Sequence, residues 1–424
     1  MATGISNTRK SKTRQSYAAG EIEKIELLAI EQQAYHSEGT CTFYGTANTN
    51  QLIAEAMGFQ LPGAAFTPTD SPIRNCLNNE SLRSLIRMMD AEMGLGEMLD
   101  VKNWVNAIIV LLASGGSTNL VIHLIAMARS AGYNITIEDF NDLSSMIPLL
   151  CQIYPNGNAD VNEFHSEGGI ARLLKNLIDG ELIYEDIHTV AGLGLSHYTK
   201  VPTIGASQSS ELQWEELAMH SQPLKSITTA HKPYKPNGGI KFIGGDIAEG
   251  LIKVSALKNE NEIISAPVRV FLTQDEVLNA YAHDELNQDM ILVLLGQSPS
   301  INGMPELHKL TPFLGTLQDK GFKVALVTDG RMSGASGKVP AAIHLVPEAV
   351  DGGLLAKIQD GDLIRINAVT GDLQFLGDMA ELEARQAAPQ PRTGDRGCGR
   401  ELFLVNRNNI SNAERGASYL FGEA

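Results

Sequence analysis

A change of hydrophobic period near residue 240 is the strongest constraint on what this 424-residue chain can fold into. Before it, apolar residues recur at helical spacing, and residues 21–34, 81–93, 119–130, 135–149 and 171–177 read as helices. In the third of these, Leu120, Ile122, Leu124, Ile125 and Met127 leave little polar face, which predicts deep burial. After it come short runs rich in β-branched and aliphatic residues, at 252–254, 268–272, 290–294, 322–327 and 363–366, punctuated by turns at Gly361 and Gly371. Residues 202–234 are polar and loop-like, and Pro233, Pro236, Gly238 and Gly239 read as a linker. The chain therefore reads as an α/β protein. A helix-rich first part, 1–238, precedes a barrel-like or mixed α/β second part, 239–424.

Charge and cysteine usage narrow the class of function. A net charge of −16 argues against a general nucleic-acid or membrane-surface binder and leaves room for a local basic pocket. The four cysteines, Cys41, Cys76, Cys151 and Cys398, form no CxxC pair and no disulfide spacing, which points to a reducing, cytoplasmic setting. The apolar run 107–113 reads as strand-like, is too short to span a membrane, and ends in Ser114-Gly115-Gly116. Residues 1–20 carry Arg9, Lys10, Lys12 and Arg14 without an apolar core; they read as a solvated loop before the first helix rather than a targeting segment.

Three stretches carry possible chemistry. Cys41 lies among glycines and hydroxyl residues, ahead of a helix for which Thr49 or Asn50 is the expected N-cap; an inert core thiol, a catalytic thiolate and a metal ligand are all open readings. Gly115, Gly116, Ser117, Thr118 and Asn119 form a turn before the buried helix, either structural or an anion site built from free N–H groups. The third stretch pairs Asn302-Gly303-Met304-Pro305-Glu306 with the glycine-dense segment 328–340, which contains Asp329, Arg331, Ser333, Ser336 and Lys338. That segment follows a buried strand, so it occupies a loop at a strand's C-terminal end, a favoured ligand position. Ser333 can act as a base only if a nearby cation or metal stabilises its alkoxide. Glu306 is either a hard-oxygen donor of the kind Mg²⁺ prefers or a solvated loop acid.

Taken together and in order, GTCTFYGTANTNQ (39–51), GGSTN (115–119), YPNGNADVN (154–162), TVAGLGLS (189–196), NGMPELHKL (302–310) and DGRMSGASGKVPAAIH (329–344) resemble the iron–sulfur sugar-acid and dihydroxy-acid dehydratase family. The likeness runs from about Thr3 to near Ser418 and is strongest to the branch acting on a phosphorylated sugar acid. It implies a hydro-lyase that forms a 2-keto-3-deoxy acid, with a related sugar-acid or dihydroxy-acid dehydratase, or a non-catalytic remnant, as alternatives. By the same resemblance Cys41 is one of three thiolate ligands of an iron–sulfur cluster, expected to be 4Fe-4S. Glu306 is a Mg²⁺ ligand and Ser333 is the proton-abstracting base. Gly115 to Asn119, Arg331, Ser336 and Lys338 are candidate substrate contacts, with the substrate phosphate expected near Arg331, Lys338 or the 115–119 turn. The family architecture is a cluster-bearing α/β domain and a C-terminal barrel-like domain with the active site between them, in a homodimer.

Two departures from the family pattern follow. The chain resembles the family from a point already well along a full-length member. It is therefore expected to be N-terminally truncated, with an incomplete first domain and without two cluster cysteines and further Mg²⁺ ligands, and to be inactive without a complementing segment. Cys76, Cys151 and Cys398 match no ligand position, and Cys151 sits in an apolar run that reads as core. In addition, a basic stretch of the type RHQGPKA before NGMPEL is replaced here by Leu295-Gly296-Gln297-Ser298-Pro299-Ser300-Ile301, which removes its Arg, His and Lys.

Overall fold

The computed structural model describes residues 4–34, 41–205, 211–219, 222–332, 337–389, 398 and 400–420. It is a mixed α/β structure in two compact units. One comprises Met1–Thr13, Glu23–Leu120 and Leu143–Gly239; the other comprises Arg14–Ile22, Val121–Asp142 and Ile240–Ala424.

The first unit is built on helices. Thr46–Ala56, Val101–Ser114 and Gly169–Asp179 bury Leu52, Ile53, Ile108, Leu111, Leu112, Leu173 and Leu174. Val101–Ser114 opens with a reciprocal cap: Asp100 accepts from the Asn103 N–H while the Asn103 side chain accepts from Asp100 N–H. It closes at Gly115, whose φ of 63° suits the left-handed cap that ends helices. The run 107–113 is thus helix, not strand. Seven consecutive apolar residues carry no period, and the helix is buried on nearly every face. The polar segment after residue 200 is not all loop: short strands β1 (His188–Thr189) and β2 (Gly192–Leu193) precede a hairpin of β3 (Lys200–Ile204) and β4 (Leu212–Glu216). Residues Asn7–Ala18, expected as loop, are helical. That helix has almost no apolar face, so periodicity gave no signal. The Asn7 side chain secures its start, donating to the Thr42 carbonyl at 3.2 Å.

The second unit contains a closed eight-stranded barrel of β5 (Ile240–Gly245), β6 (Glu249–Lys253), β7 (Ile263–Phe271), β8 (Met290–Leu294), β9 (Val324–Thr328), β10 (Ala341–Val346), β11 (Leu363–Asn367) and β12 (Asp372–Phe375). The order around it is β10-β6-β5-β12-β11-β7-β8-β9. Closure leaves no open sheet edge, and Ile252, Ile264, Val268, Val293, Val327, Ile364 and Leu373 fill the core. Strands β7, β8, β9 and β10 run parallel, with Leu294 opposite Thr328 and Val327 opposite Ala342. Every residue of β8 and β9 is buried, as expected for parallel strands covered on both faces. This parallel block matters for function, because it brings the loops after β8 and β9 out side by side. Among the described residues no helix is long and apolar enough to cross a membrane.

Candidate functional site

In the first unit, two sequence motifs 70 residues apart become one construction. Cys41 is exposed, with its Sγ 3.7 Å from the Phe43 carbonyl. Asn48 Nδ2 donates to the carbonyls of both Cys41 and Phe43 at 2.7 Å, which folds the loop back over the start of Thr46–Ala56. That helix begins five residues earlier than the expected start at Gln51, with Gly45 at the N-cap. Thr49 therefore lies inside the helix and does other work. Its Oγ1 donates to the Gly45 carbonyl at 2.8 Å and accepts from the Ser117 N–H at 3.2 Å. Thr46 Oγ1 meets Ser117 Oγ at 3.0 Å and accepts from Asn119 Nδ2 at 2.9 Å. Gly116 has to be glycine, because a Cβ there would sit 2.5 Å from Thr49 Cγ2. Tyr44 completes the link by donating to Ser114 Oγ at 2.8 Å. The turn 115–119 thus supports the Cys41 loop. The N–H groups of Ser117 and Asn119 already have intrachain acceptors, the second being Ser117 Oγ.

In the second unit, Asp329 organises the loops that leave β8 and β9. It is fully buried and accepts from the N–H groups of Gln297 at 2.9 Å, Gly296 at 3.2 Å and Ala349 at 3.3 Å. Burial pushes its carboxyl up to about 6, against the pull of those three donors. Gln297 adds donations to the Leu272 and Leu295 carbonyls at 2.8 and 3.0 Å. Gly330 leaves room for it, since a Cβ there would lie 2.5 Å from Gln297 Cβ.

Held on this base, Glu306 and Arg331 form a bridge between the two loops. Arg331 Nε donates to the Met304 carbonyl at 2.6 Å, and its Nη1 lies 3.3 Å from Glu306 Oε2, with both side chains about three-quarters covered (30% and 25% exposed). Two histidines face this cation. His344, buried and at φ 58°, donates its N–H to the Gly330 carbonyl at 2.8 Å; burial, then Arg331 and His123, push its imidazole down to about 3. His123 is lowered by burial and then by Arg331. Both imidazoles are therefore neutral at physiological pH. Lys338 is elsewhere engaged, in an exposed pair with Asp319 at 2.6 Å. Ser333 and Ser336 lie outside the described residues.

The replaced basic stretch can now be located. Counting back from Asn302, its Arg, His and Lys positions hold Leu295, Gly296 and Ser300. Leu295 is part of the barrel core. Ser300 donates to Glu348 Oε2 at 2.8 Å, and burial raises the Glu348 carboxyl above the usual carboxylate range.

A metal fits these residues only in part. Cys41 and Glu306 are donors of the right type for an iron–sulfur cluster and for Mg²⁺ respectively. Among the described residues, however, no group of three or more His, Cys, Asp or Glu side chains could hold a metal ion. Cys151 is buried and its thiol is pushed up by burial, the opposite of what a thiolate ligand needs. Residues that sequence reasoning left without a role include Asp329, His344 and Asn48. Asp329 and His344 fall within quoted motifs, but their partners are distant in sequence or set by barrel register, so no local signal marks them.

Comparison with known proteins connects both halves of the chain to one family. Residues 1–198 match the model described as dihydroxy-acid/6-phosphogluconate dehydratase N-terminal, and residues 225–417 match its C-terminal counterpart. The chain is 49% identical to a phosphogluconate dehydratase of Pseudomonas aeruginosa over 420 residues, covering 98% of this chain and 69% of that protein. It is 48% identical to the phosphogluconate dehydratase of Escherichia coli K12, covering 99% of this chain and 70% of that protein. A dihydroxy-acid dehydratase of Sulfurisphaera tokodaii is 32% identical over 87% of this chain and 63% of that protein.

Proposed function

The chain belongs to the dihydroxy-acid/6-phosphogluconate dehydratase family, and from that premise we propose that it is a hydro-lyase converting 6-phosphogluconate to 2-keto-3-deoxy-6-phosphogluconate and water. One observation carries the choice of substrate: identity to phosphogluconate dehydratases reaches 48–49% over nearly the whole chain, against 32% to a dihydroxy-acid dehydratase.

The reaction breaks a C–H bond beside the substrate carboxylate and a C–O bond at the next carbon. The resulting enol then takes up a proton to become the keto acid. Breaking the C–H bond needs a base, and Ser333 is proposed for it. It follows Met332, which is buried directly after the Arg331 bridge. The Asp329 anchor and the Arg331–Met304–Glu306 connection fix the chain up to Met332, the residue before Ser333. Arg331 brings positive charge to the place where the enolate forms, and the neutral imidazoles of His123 and His344 beside it add no competing cation. Glu306 is proposed as a Mg²⁺ ligand and Cys41 as a cluster thiolate. The described residues do not complete either donor set, and no step is drawn through these groups. The reading further includes a homodimer in a reducing, cytoplasmic setting, with support from four free cysteines for the second point.

The test is keto-acid formation by the purified chain after anaerobic reconstitution with iron, sulfide and Mg²⁺, supplied with 6-phosphogluconate or with a branched 2,3-dihydroxy acid. The comparisons give no evidence for the inactivity expected from the sequence, and turnover of the phosphorylated sugar acid by the purified chain, lost in Ser333→Ala, is expected. Preference for the dihydroxy acid would move the chain to the other branch of the family.

A further inference from the structure

His344 combines three features that regular strand packing does not explain. Its backbone has a left-handed φ of 58°, a costly conformation for a residue other than glycine. It lies in a bulge, because β10 advances three residues from Ile343 to Val346 while β6 advances two, from Leu251 to Glu249. Gly250 makes room for that bulge, since a Cβ there would come 2.5 Å from the Ile343 carbonyl oxygen. Finally, the ring is buried (1% exposed), and among the described residues its Nε2 has no hydrogen-bond partner. Burying a nitrogen unpaired is unfavourable, and strained backbone, bulges and such orphaned atoms gather where a chain handles a ligand. The location agrees: the His344 N–H holds the Gly330 carbonyl at 2.8 Å, directly before Arg331.

We propose that His344 is a further catalytic residue, whose Nε2–H donates a hydrogen bond, beside Arg331, to the substrate carboxylate oxygen on which enolate charge collects. The inference rests on the hydro-lyase reading above. When the C–H bond beside the carboxylate breaks, the proton goes to the base and the electron pair moves toward the carboxylate oxygens. Donors already aimed at those oxygens lower the barrier. The imidazole suits this role because it is neutral: burial, then Arg331 and His123, push it down to about 3. It therefore donates without placing a second cation against the guanidinium, as a neutral imidazole can toward an oxygen becoming an enolate. Nε2 is enclosed, and it meets the carboxylate as Arg331 exchanges its contact with Glu306. That contact is a single one, Nη1 to Oε2 at 3.3 Å, and Nε stays on the Met304 carbonyl at 2.6 Å.

Two substitutions separate a donor from a structural role. Asn tolerates a left-handed φ better than Gln, but only the longer Gln amide reaches the place of Nε2. A structural role ranks His344→Asn above His344→Gln, and a donor role reverses the order. For keto-acid formation from 6-phosphogluconate by the reconstituted full chain, kcat is expected to fall about 100-fold in His344→Asn and about tenfold or less in His344→Gln. The second readout is calorimetric binding to the full chain in Mg²⁺, without iron or sulfide. Its probes are 6-phosphogluconate and glucitol 6-phosphate, which carries a hydroxymethyl group in place of the carboxylate. Wild type should prefer the acid, and His344→Asn should reduce that preference about tenfold by weakening acid binding alone. A wild type without the preference, a preference unchanged in folded His344→Asn, or a kcat in His344→Asn at or above that in His344→Gln overturns the assignment. Turnover of the branched dihydroxy acid in place of 6-phosphogluconate overturns the phosphorylated-substrate reading alone, because that acid carries the same carboxylate and the ranking is then read with it. Turnover of neither acid overturns the hydro-lyase reading, and the binding readout still decides His344.

Discussion

Asp329 gives the sharpest test of how the second unit's site is built, because two physical effects on its carboxyl oppose each other. Three N–H donors favour the charged form, and a carboxylate so placed can titrate far below the usual range. Complete burial favours the neutral form, and here burial wins, carrying the group from 3.8 to about 6. The folded state therefore binds this proton more tightly than the unfolded chain, by about 3 kcal/mol at ~1.4 kcal/mol per pH unit. The sign follows from linkage. For an acid whose pKa is raised by folding, the associated stability is fully present below 3.8 and is lost as pH rises through about 6. Asp329→Asn removes the titration while keeping the shape. Urea denaturation of both proteins across this range isolates Asp329 together with its neighbour Glu348, since carboxylates that do not sense the Asp329 charge cancel in the difference. Between about pH 4 and pH 7 the stability of wild type relative to the variant should fall by roughly 3 kcal/mol. Loss of the Asp329 charge also relieves Glu348, which that charge raises, and this adds in the same direction. A flat difference, or one that rises with pH, would show that the three N–H donors outweigh burial and would refute the reasoning.

Other expectations follow from the same geometry. Thr49→Val keeps volume but leaves the Ser117 N–H without its acceptor, so the chain should lose about 1–3 kcal/mol in thermal or urea melts. Arg331→Lys cannot hold both the Met304 carbonyl and Glu306; the loop shifts, and kcat/KM for 6-phosphogluconate should fall about 100-fold with little change in melting temperature. A loss of only a few-fold would remove Arg331 from the positioning role. Toward a thiol-alkylating reagent, Cys41 and Cys398 should react rapidly and Cys151 only on unfolding, as read by mass mapping of the labelled sites.

How much of this was legible in the sequence depended on whether the signal was local. Strand β8 was read at its observed bounds and β9 nearly so, because strands buried on both faces are unbroken apolar runs with turns at each end. Strand β10 was missed, since Pro340 adjoins it and His344 interrupts its apolar run. The run 107–113 was misassigned because the decisive cue, the Asp100–Asn103 cap, lies outside it. The loop after β9 was placed at a strand's C-terminal end, and the parallel pairing of β8 with β9 brings Glu306 and Arg331 together. The joining of the Cys41 loop to 115–119 was not legible. It runs through the hydroxyls of Thr46, Thr49 and Ser117, residues common enough in turns to carry no message across 70 positions.

The central claim is that this chain is a dehydratase for a phosphorylated sugar acid with Ser333 as its base. The most direct measurement is exchange of the 6-phosphogluconate C2 proton with deuterated solvent together with keto-acid formation, by NMR, using reconstituted wild type and Ser333→Ala. The account predicts that wild type forms 2-keto-3-deoxy-6-phosphogluconate and that the variant neither exchanges the proton nor forms product. Product formation at the wild-type rate by Ser333→Ala, or turnover of a dihydroxy acid in preference to 6-phosphogluconate, would contradict it.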